Sequence, residues 1–409
     1  MDGNQLLARM KRLGSVETIK DVRPLTAAMF PGTHCPLMGA AMAVRGISDA
    51  LMLIIGTDEC TYYTKHFSVQ AENFGGLHGR CVSVALDGHD VTFGCAKKVE
   101  AAFAEMMEEY HPQAVFLVTT CVVEVIGDDF DAVAAALTEK YGLPVMAVHT
   151  EHFKCENHLP GVERTMTACF DLMRARPCDG SVNLLGQRLG DFQETELFGV
   201  LQEAGVRVGL RLPCGCRVED IRNAPAAQVN IVVDDTALPL ARKMRSAFGT
   251  PYVMFDKFAA PARIAACYQT LFDALKLPRE EAARELRGVT YIYGNTPLRC
   301  YEFNRFMVEL GMQPQVIQSN AILPEDEEDR AAILRHCDPY ITKTANIAPL
   351  QSIYDVLHPM LYLGHEYAAR LRAKGIALVR TDGVSNMLGY EITPFVTQAL
   401  RAAAREARA

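Results

Sequence analysis

The chain has 409 residues and a net charge of −8, with 49% hydrophobic and 22% charged residues. That balance suits two or three packed α/β cores and offers no long basic run for a nucleic acid. No apolar stretch approaches the ~18 residues of a membrane span, and MDGNQLLARMKRLGSVETIK has no secretory h-region, so a cytoplasmic protein without membrane contact is expected.

Residues 1–30 read as a helical or irregular lead-in. PGTHCPLMGAAMAVRGI then gives a Pro/Gly turn, Cys35 and a helix of small residues. LMLIIGTDECTYY is a strand closed by a glycine turn, with Cys60 just beyond it. FGGLHGR reads as a turn-rich segment, and the stretch from LDGHD through AAFAEMMEEY as an amphipathic helix. AVFLVTTCVVEVIGDD follows: a five-residue apolar strand, two threonines, Cys121 at the strand's carboxyl end, and a helix. Strand PVMAV and loop HTEHFKCENHLPG complete this block.

Beyond Ser181 come the strands SVNLL, VRVGL, QVNIVV and YVMFD, then VTYIYG, PQVIQ, PYITK, MLYLG and IALVR, separated by helices. Short apolar strands alternating with helices mean parallel sheets with βαβ crossovers. The expected fold is α/β: three consecutive doubly wound, Rossmann-like parallel-sheet domains, over residues 1–180, 181–286 and 287–409.

Thirteen cysteines are many for a reducing compartment, and there metal or redox chemistry explains them better than disulfides. Cys81, Cys169, Cys178, Cys267 and Cys337 lie in helical or apolar surroundings and read as inert thiols. Cys35, Cys60 and Cys121 instead share one setting, a turn or strand end beside a helix start. Such ends converge at the carboxyl edge of a parallel sheet, and a helix N-terminus favours thiolate. Three converging thiolates suit an iron–sulfur cluster lacking one of its usual four cysteines, although dispersed cysteines at these spacings match no compact ferredoxin pattern.

No G-x-x-x-x-G-K-S/T is present, so the chain is expected to have no ATP site of its own. No G-x-G-x-x-G follows a strand, which argues against a nicotinamide cofactor. Gly75 to Gly79 comes nearest, with the wrong spacing.

GTHCPLMGAAMAVRGI, GTDECTYY, VTFGCAKKVEAAFAE and TTCVVEVIGDD together resemble the nitrogenase component 1 family, and QVNIVV through FGTPYV and VTYIYGNTPLRCYEFNRFMVELG fit its later segments. The family comprises nitrogenase catalytic subunits, the scaffold that matures their cofactor, and dark-operative tetrapyrrole reductases. The resemblance implies that Cys35, Cys60 and Cys121 bind either one 4Fe–4S cluster or half of a larger bridging cluster at a subunit interface. It implies two partners, a homologous component 1 subunit in a heterotetramer and an ATP-dependent iron–sulfur reductase. Glu124, Asp128 and Asp129 are read as serving the first helical turn rather than a metal.

The sequence also departs from the family. In the nitrogenase catalytic subunit a cysteine after the QVNIVV-like strand ligates the large active-site metallocluster, whereas Asp234 stands nearest that position here. RTDGVSNMLGYE lacks the family's C-terminal histidine, and His365 is the last histidine of the chain. A carboxylate is a hard ligand and a poor replacement for thiolate, so dinitrogen reduction is not expected. Further cluster thiols are sought at Cys155, Cys214 and Cys216, with Cys95 and Cys300 as weaker candidates. His152, Cys155 and His158 make EHFKCENH ligand-rich without a clear fourth zinc ligand. His149, Glu151, His152 and Arg299 are polar groups fit to face a substrate.

The leading expectation is a subunit of a nitrogenase-like oxidoreductase. It accepts electrons at an interface iron–sulfur cluster and passes them to a substrate or cofactor in the interdomain cavity. The alternatives are a metallocluster-assembly scaffold and a tetrapyrrole reductase subunit. The catalytic residues are not identified by the sequence.

Overall fold

The structure is a computed structural model that describes the chain apart from residues 1, 27–33, 70–76, 78, 156, 189, 204, 273–285, 344–346 and 409. The turn before Cys35 and most of the Gly75–Gly79 stretch lie outside the described residues. The described strands in chain order are β1 (Lys11–Arg12), β2 (Ala50–Gly56), β3 (Cys81–Ala85), β4 (Ala114–Thr119), β5 (Val145–Val148), β6 (Val182–Gln187), β7 (Val208–Pro213), β8 (Val229–Val232), β9 (Tyr252–Met254), β10 (Thr290–Tyr293), β11 (Gln313–Gln318), β12 (Tyr340–Thr342), β13 (Leu361–Leu363) and β14 (Ala377–Val379).

Two compact units are formed. One holds residues 32–190 and 201–254 and contains the candidate cysteines; the other holds residues 1–31, 191–200 and 255–409. The cysteine unit carries two four-stranded sheets of order β3-β2-β4-β5 and β7-β6-β8-β9. All pairings in both sheets are parallel. β2 and β4 are buried along their whole length, as expected for strands covered on both faces by crossover helices. Leu51, Leu53 and Ile55 face one apolar cluster with Val115 and Leu117. Met52, Ile54, Phe116 and Val118 face the other, with helix Pro36–Arg45 and with residues of β6 and β7.

The second unit is a Rossmann-ordered sheet, β12-β11-β10-β13-β14, with β1 added antiparallel beside β12. Its segment 191–200 is fastened to the C-terminal region. Glu196 Oε1 accepts the Tyr268 hydroxyl (2.7 Å) and the Tyr390 amide (3.0 Å), and its Oε2 accepts the Glu391 amide (3.1 Å). The fold is thus α/β with Rossmann-like sheets, parallel among the described strands apart from β1. Strand β3, absent from the sequence reading, is a half-buried edge strand with Ser83 at its centre, and it includes Cys81.

Candidate functional site

Two strands of the first sheet end side by side. β2 stops at Gly56 and helix Asp58–Val69 begins two residues later, with Cys60 in its first turn. β4 stops at Thr119, Thr120 is the N-cap, and Cys121 is the first residue of helix Cys121–Ile126. These turns press together: a Cβ on Gly56 would stand 2.5 Å from the Thr120 side chain, so only glycine fits. In a β3-β2-β4-β5 sheet the connections diverge between β2 and β4, and there open α/β sheets take their ligands.

Cys35 joins them from a third element, as N-cap of helix Pro36–Arg45, whose proline occupies the first turn. A close crossing with helix Leu159–Ala168 seats this helix. A Cβ on Gly39 would lie 1.9 Å from the His158 carbonyl oxygen, and one on Gly161 would lie 1.8 Å from that of Pro36. Two glycines therefore let the backbones touch beside Cys35.

The three thiols share one electrostatic environment. Burial pushes the Cys60 thiol up, and the charges of Cys121 and Cys35 push it further, while the Thr57 hydroxyl opposes the rise. The phenol of Tyr63 is raised by burial and by Cys35. All three cysteines are half-buried and unpaired by disulfides. Three thiolates at one sheet edge repel, and a cationic metal core between them relieves that repulsion. Soft sulfur donors at helix N-termini fit an iron–sulfur cluster. Among the described residues no three His, Cys, Asp or Glu side chains close to the geometry of a single metal ion. A cluster is wider than an ion, and ligands that grip its corners stand farther apart.

Surrounding groups are mostly committed to structure. Glu124 turns sideways instead of capping its helix: its Oε1 accepts the Thr119 hydroxyl and lies 3.7 Å from His149 Nδ1. Asp128 accepts the Cys95 amide (2.6 Å), and Asp129 caps the following helix through the Ala132 amide (2.9 Å). Cys95 is buried, and desolvation and Asp128 push its thiol up to about 12, in keeping with a packing role. His34 Nδ1 contacts the Tyr63 hydroxyl, and the His34 ring meets His158 edge-on at 6.3 Å.

The additional thiols lie in other settings. Cys155 is directed at the Thr150 carbonyl (3.7 Å), and burial raises its thiol against the influence of Arg164. His152, Cys155 and His158 do not converge on an ion. The Cys214–Cys216 loop packs at the far end of helix Pro36–Arg45, where Gly215 and Cys216 amides donate to the Gly46 carbonyl (3.1 and 3.0 Å). Ten residues at about 1.5 Å rise put that end roughly 15 Å from Cys35. Cys216 is buried in the apolar core, and burial holds its thiol well above the usual range. Cys300 is likewise pushed up to about 12 by burial.

Asp234 is engaged on both oxygens. Its Oδ1 accepts the Thr236 amide (3.0 Å) and hydroxyl (2.6 Å), and its Oδ2 pairs with Arg188 (2.9 Å). It is a cap and an ion-pair partner, and both of its oxygens are engaged by protein groups. In the other unit Arg299 is buried in ion pairs with Asp326 (3.0 Å) and Asp256 (3.8 Å), so its charge is matched internally.

The sequence reading passed over the apolar rim of the thiol edge. Tyr62, Val125 and Phe153 follow β2, β4 and β5 and are 71%, 72% and 70% exposed; Val91 and Phe93 follow β3 and are exposed too. Among the described residues only Leu334 and Tyr367 are other large hydrophobic side chains so exposed. The signal was present as apolar residues off the helical core period, just after strand ends.

Parallel sheets of this order, with cysteines at the strand ends of a switch point, define a class, α/β proteins of the component 1 architecture. The family profile described as nitrogenase component 1 type oxidoreductase matches residues 35–396, and the chain belongs to that family. Among its relatives, the nitrogenase iron-molybdenum cofactor biosynthesis protein NifE of Clostridium pasteurianum is 34% identical over 224 residues, covering 54% of this chain and 49% of that one. The nitrogenase molybdenum-iron protein alpha chain of the same organism is 29% identical over 230 residues, covering 54% and 43%. The chain thus matches about half the length of these curated relatives. The solved structure titled nitrogenase Cp1 at pH 6.5 superposes with a TM-score of 0.75 at 14% identity, over 93% of this chain and 94% of that one, which establishes the common fold.

Proposed function

We propose that this chain is one subunit of a nitrogenase-like oxidoreductase, in which Cys35, Cys60 and Cys121 hold an iron–sulfur cluster where electrons enter. The observation that carries this reading is the shared charge field of three half-buried thiols at the switch point of one parallel sheet. Three cysteines leave a 4Fe–4S cluster one ligand short. A homologous component 1 subunit supplies that ligand, or the other half of a larger bridging cluster, in a heterotetramer. The exposed Tyr62, Val125 and Phe153, each following a strand of the same sheet, support such a partner, because exposed apolar side chains are surface that a subunit covers.

The cluster, when bound, supplies one-electron transfer. The chain's own residues fix the thiolates, lower their charge cost at helix N-termini, and keep the Thr57 hydroxyl on Cys60. Membership of the component 1 family supports an ATP-dependent iron–sulfur reductase as the electron donor, meeting this chain in the cytoplasm. The test is spectroscopic. The anaerobically purified complex should lose visible absorbance and gain a paramagnetic signal when such a reductase is added with MgATP. A complex whose spectra do not respond to any reductant would contradict the reading.

A second reading, a metallocluster-assembly scaffold, is favoured by the relatives named as cofactor biosynthesis proteins. The commitment of both Asp234 oxygens to Thr236 and Arg188 weighs against a second cluster held at that position. Iron-55 loaded on the complex should stay bound during turnover if the first reading holds, and should pass to an acceptor protein if the second does.

A further inference from the structure

Helix Cys121–Ile126 is only six residues long, buries Val123 alone among its side chains, and exposes Val125. A helix so short and so poorly packed does not hold its own orientation. Polar contacts hold it. Glu124 projects from its first turn to the end of β4, where Oε1 accepts the Thr119 hydroxyl, and to the turn after β5, where the carboxylate accepts the Glu151 amide. The same Thr119 hydroxyl accepts the Thr150 amide (3.3 Å).

His149 stands at the centre of these contacts. Its Nδ1 is 3.7 Å from Glu124 Oε1, and its Nε2 is 3.3 Å from Oδ2 of Asp131 on helix Phe130–Tyr141. Nε2 has no hydrogen-bond partner, so the Asp131 contact is chiefly ionic. Arg164, from helix Leu159–Ala168, donates to the carbonyls of His149 (3.1 Å) and Thr150 (2.6 Å) and pairs with Glu151 (2.7 Å). Lys154 also pairs with Glu151 (2.6 Å). With Arg164 and Lys154 committed to Glu151, His149 is the cation that serves Glu124 and Asp131.

We propose that His149 is a positioning residue of the thiol site: a cation clamped between Glu124 and Asp131 that locks the helix bearing Cys121 to the sheet edge. Its importance for a cluster rests on the function proposed above; the lock itself does not. The Glu124 contact, with Asp131 adding to it, raises the imidazole to about 9 against burial. The clamp is therefore fully formed below the ordinary value of 6.5 and is lost as pH rises through about 9.

The test is hydrogen exchange on the full chain, free of iron, read over the helix Cys121–Ile126. His149→Gln and Glu124→Gln should each speed exchange there about tenfold and leave helix Pro36–Arg45 unchanged. His149→Lys, which keeps the cation, should restore most of the protection. After correction for intrinsic chemistry, wild-type protection should fall through about pH 9, and that of His149→Gln should stay flat. If His149→Gln does not fold, Asp131→Asn on an exposed carboxylate should speed exchange about threefold. Unchanged exchange in the variants that fold, or a loss that lysine does not rescue, would overturn the lock. If the lock holds but Cys121→Ala retains full iron in the complex, the cluster assignment fails and the lock stands.

Discussion

Cys60 is the thiol that reports on the other two. Its proton is held by burial and by the charges of Cys121 and Cys35, and released in part by the Thr57 hydroxyl. Thr57→Val should therefore slow iodoacetamide alkylation of Cys60 in the iron-free chain several-fold, with Cys178, which is exposed, as the unchanged internal standard. An unaltered rate would mean that the hydroxyl does not tune the thiol. At this scale the sequence was informative about which cysteines stand at helix starts, because strand, turn and helix signals flank each one. It could not show what Glu124, Asp128 and Asp129 do. All three follow Cys121 as acidic residues near a helix start, yet one reaches sideways to His149, one holds the Cys95 amide, and one caps the next helix. Those choices depend on neighbours distant in sequence.

Among elements, the crossing of helices Pro36–Arg45 and Leu159–Ala168 sets where Cys35 stands. Gly39→Ala would drive a methyl into the His158 carbonyl oxygen, an obstacle made of backbone that cannot swing aside. The expected loss is more than about 2 kcal/mol in urea denaturation, and a loss below about 0.5 kcal/mol would show that the helices separate at little cost. The buried strands were legible because they are short, continuous apolar runs bounded by glycine and polar turns. β3 was missed because an edge strand with Ser83 at its centre has neither the run nor clean alternation. Helix periodicity gave no hint of the close crossing, since a glycine inside a helix marks contact without naming the partner.

The whole molecule contributes a pH dependence of its own. Glu302 is buried and accepts the amides of Ala259 (3.1 Å) and Ala260 (2.9 Å), and burial lifts its carboxyl from the ordinary 4.5 to about 7. The unfolded chain ionises this group at lower pH than the folded one, so its contribution to stability declines as pH rises from 4.5 to about 7 and is flat above. Glu302→Gln keeps an acceptor for both amides and should be more stable than wild type at pH 8 by roughly 1–3 kcal/mol, with little difference at pH 4. Equal stabilities at pH 8 would show that the carboxylate is adequately solvated.

The fold and the family follow from parallel sheets of Rossmann-like order and a profile match across residues 35–396. The proposed cluster rests on three thiols, and one measurement reaches it directly. Iron and acid-labile sulfide should be counted in the anaerobically purified complex, for wild type and for a chain with Cys35, Cys60 and Cys121 all replaced by alanine, with far-UV circular dichroism to establish folding. The account predicts several irons and sulfides per wild-type chain and almost none in the folded triple variant. A folded triple variant with the wild-type iron and sulfide content would contradict it.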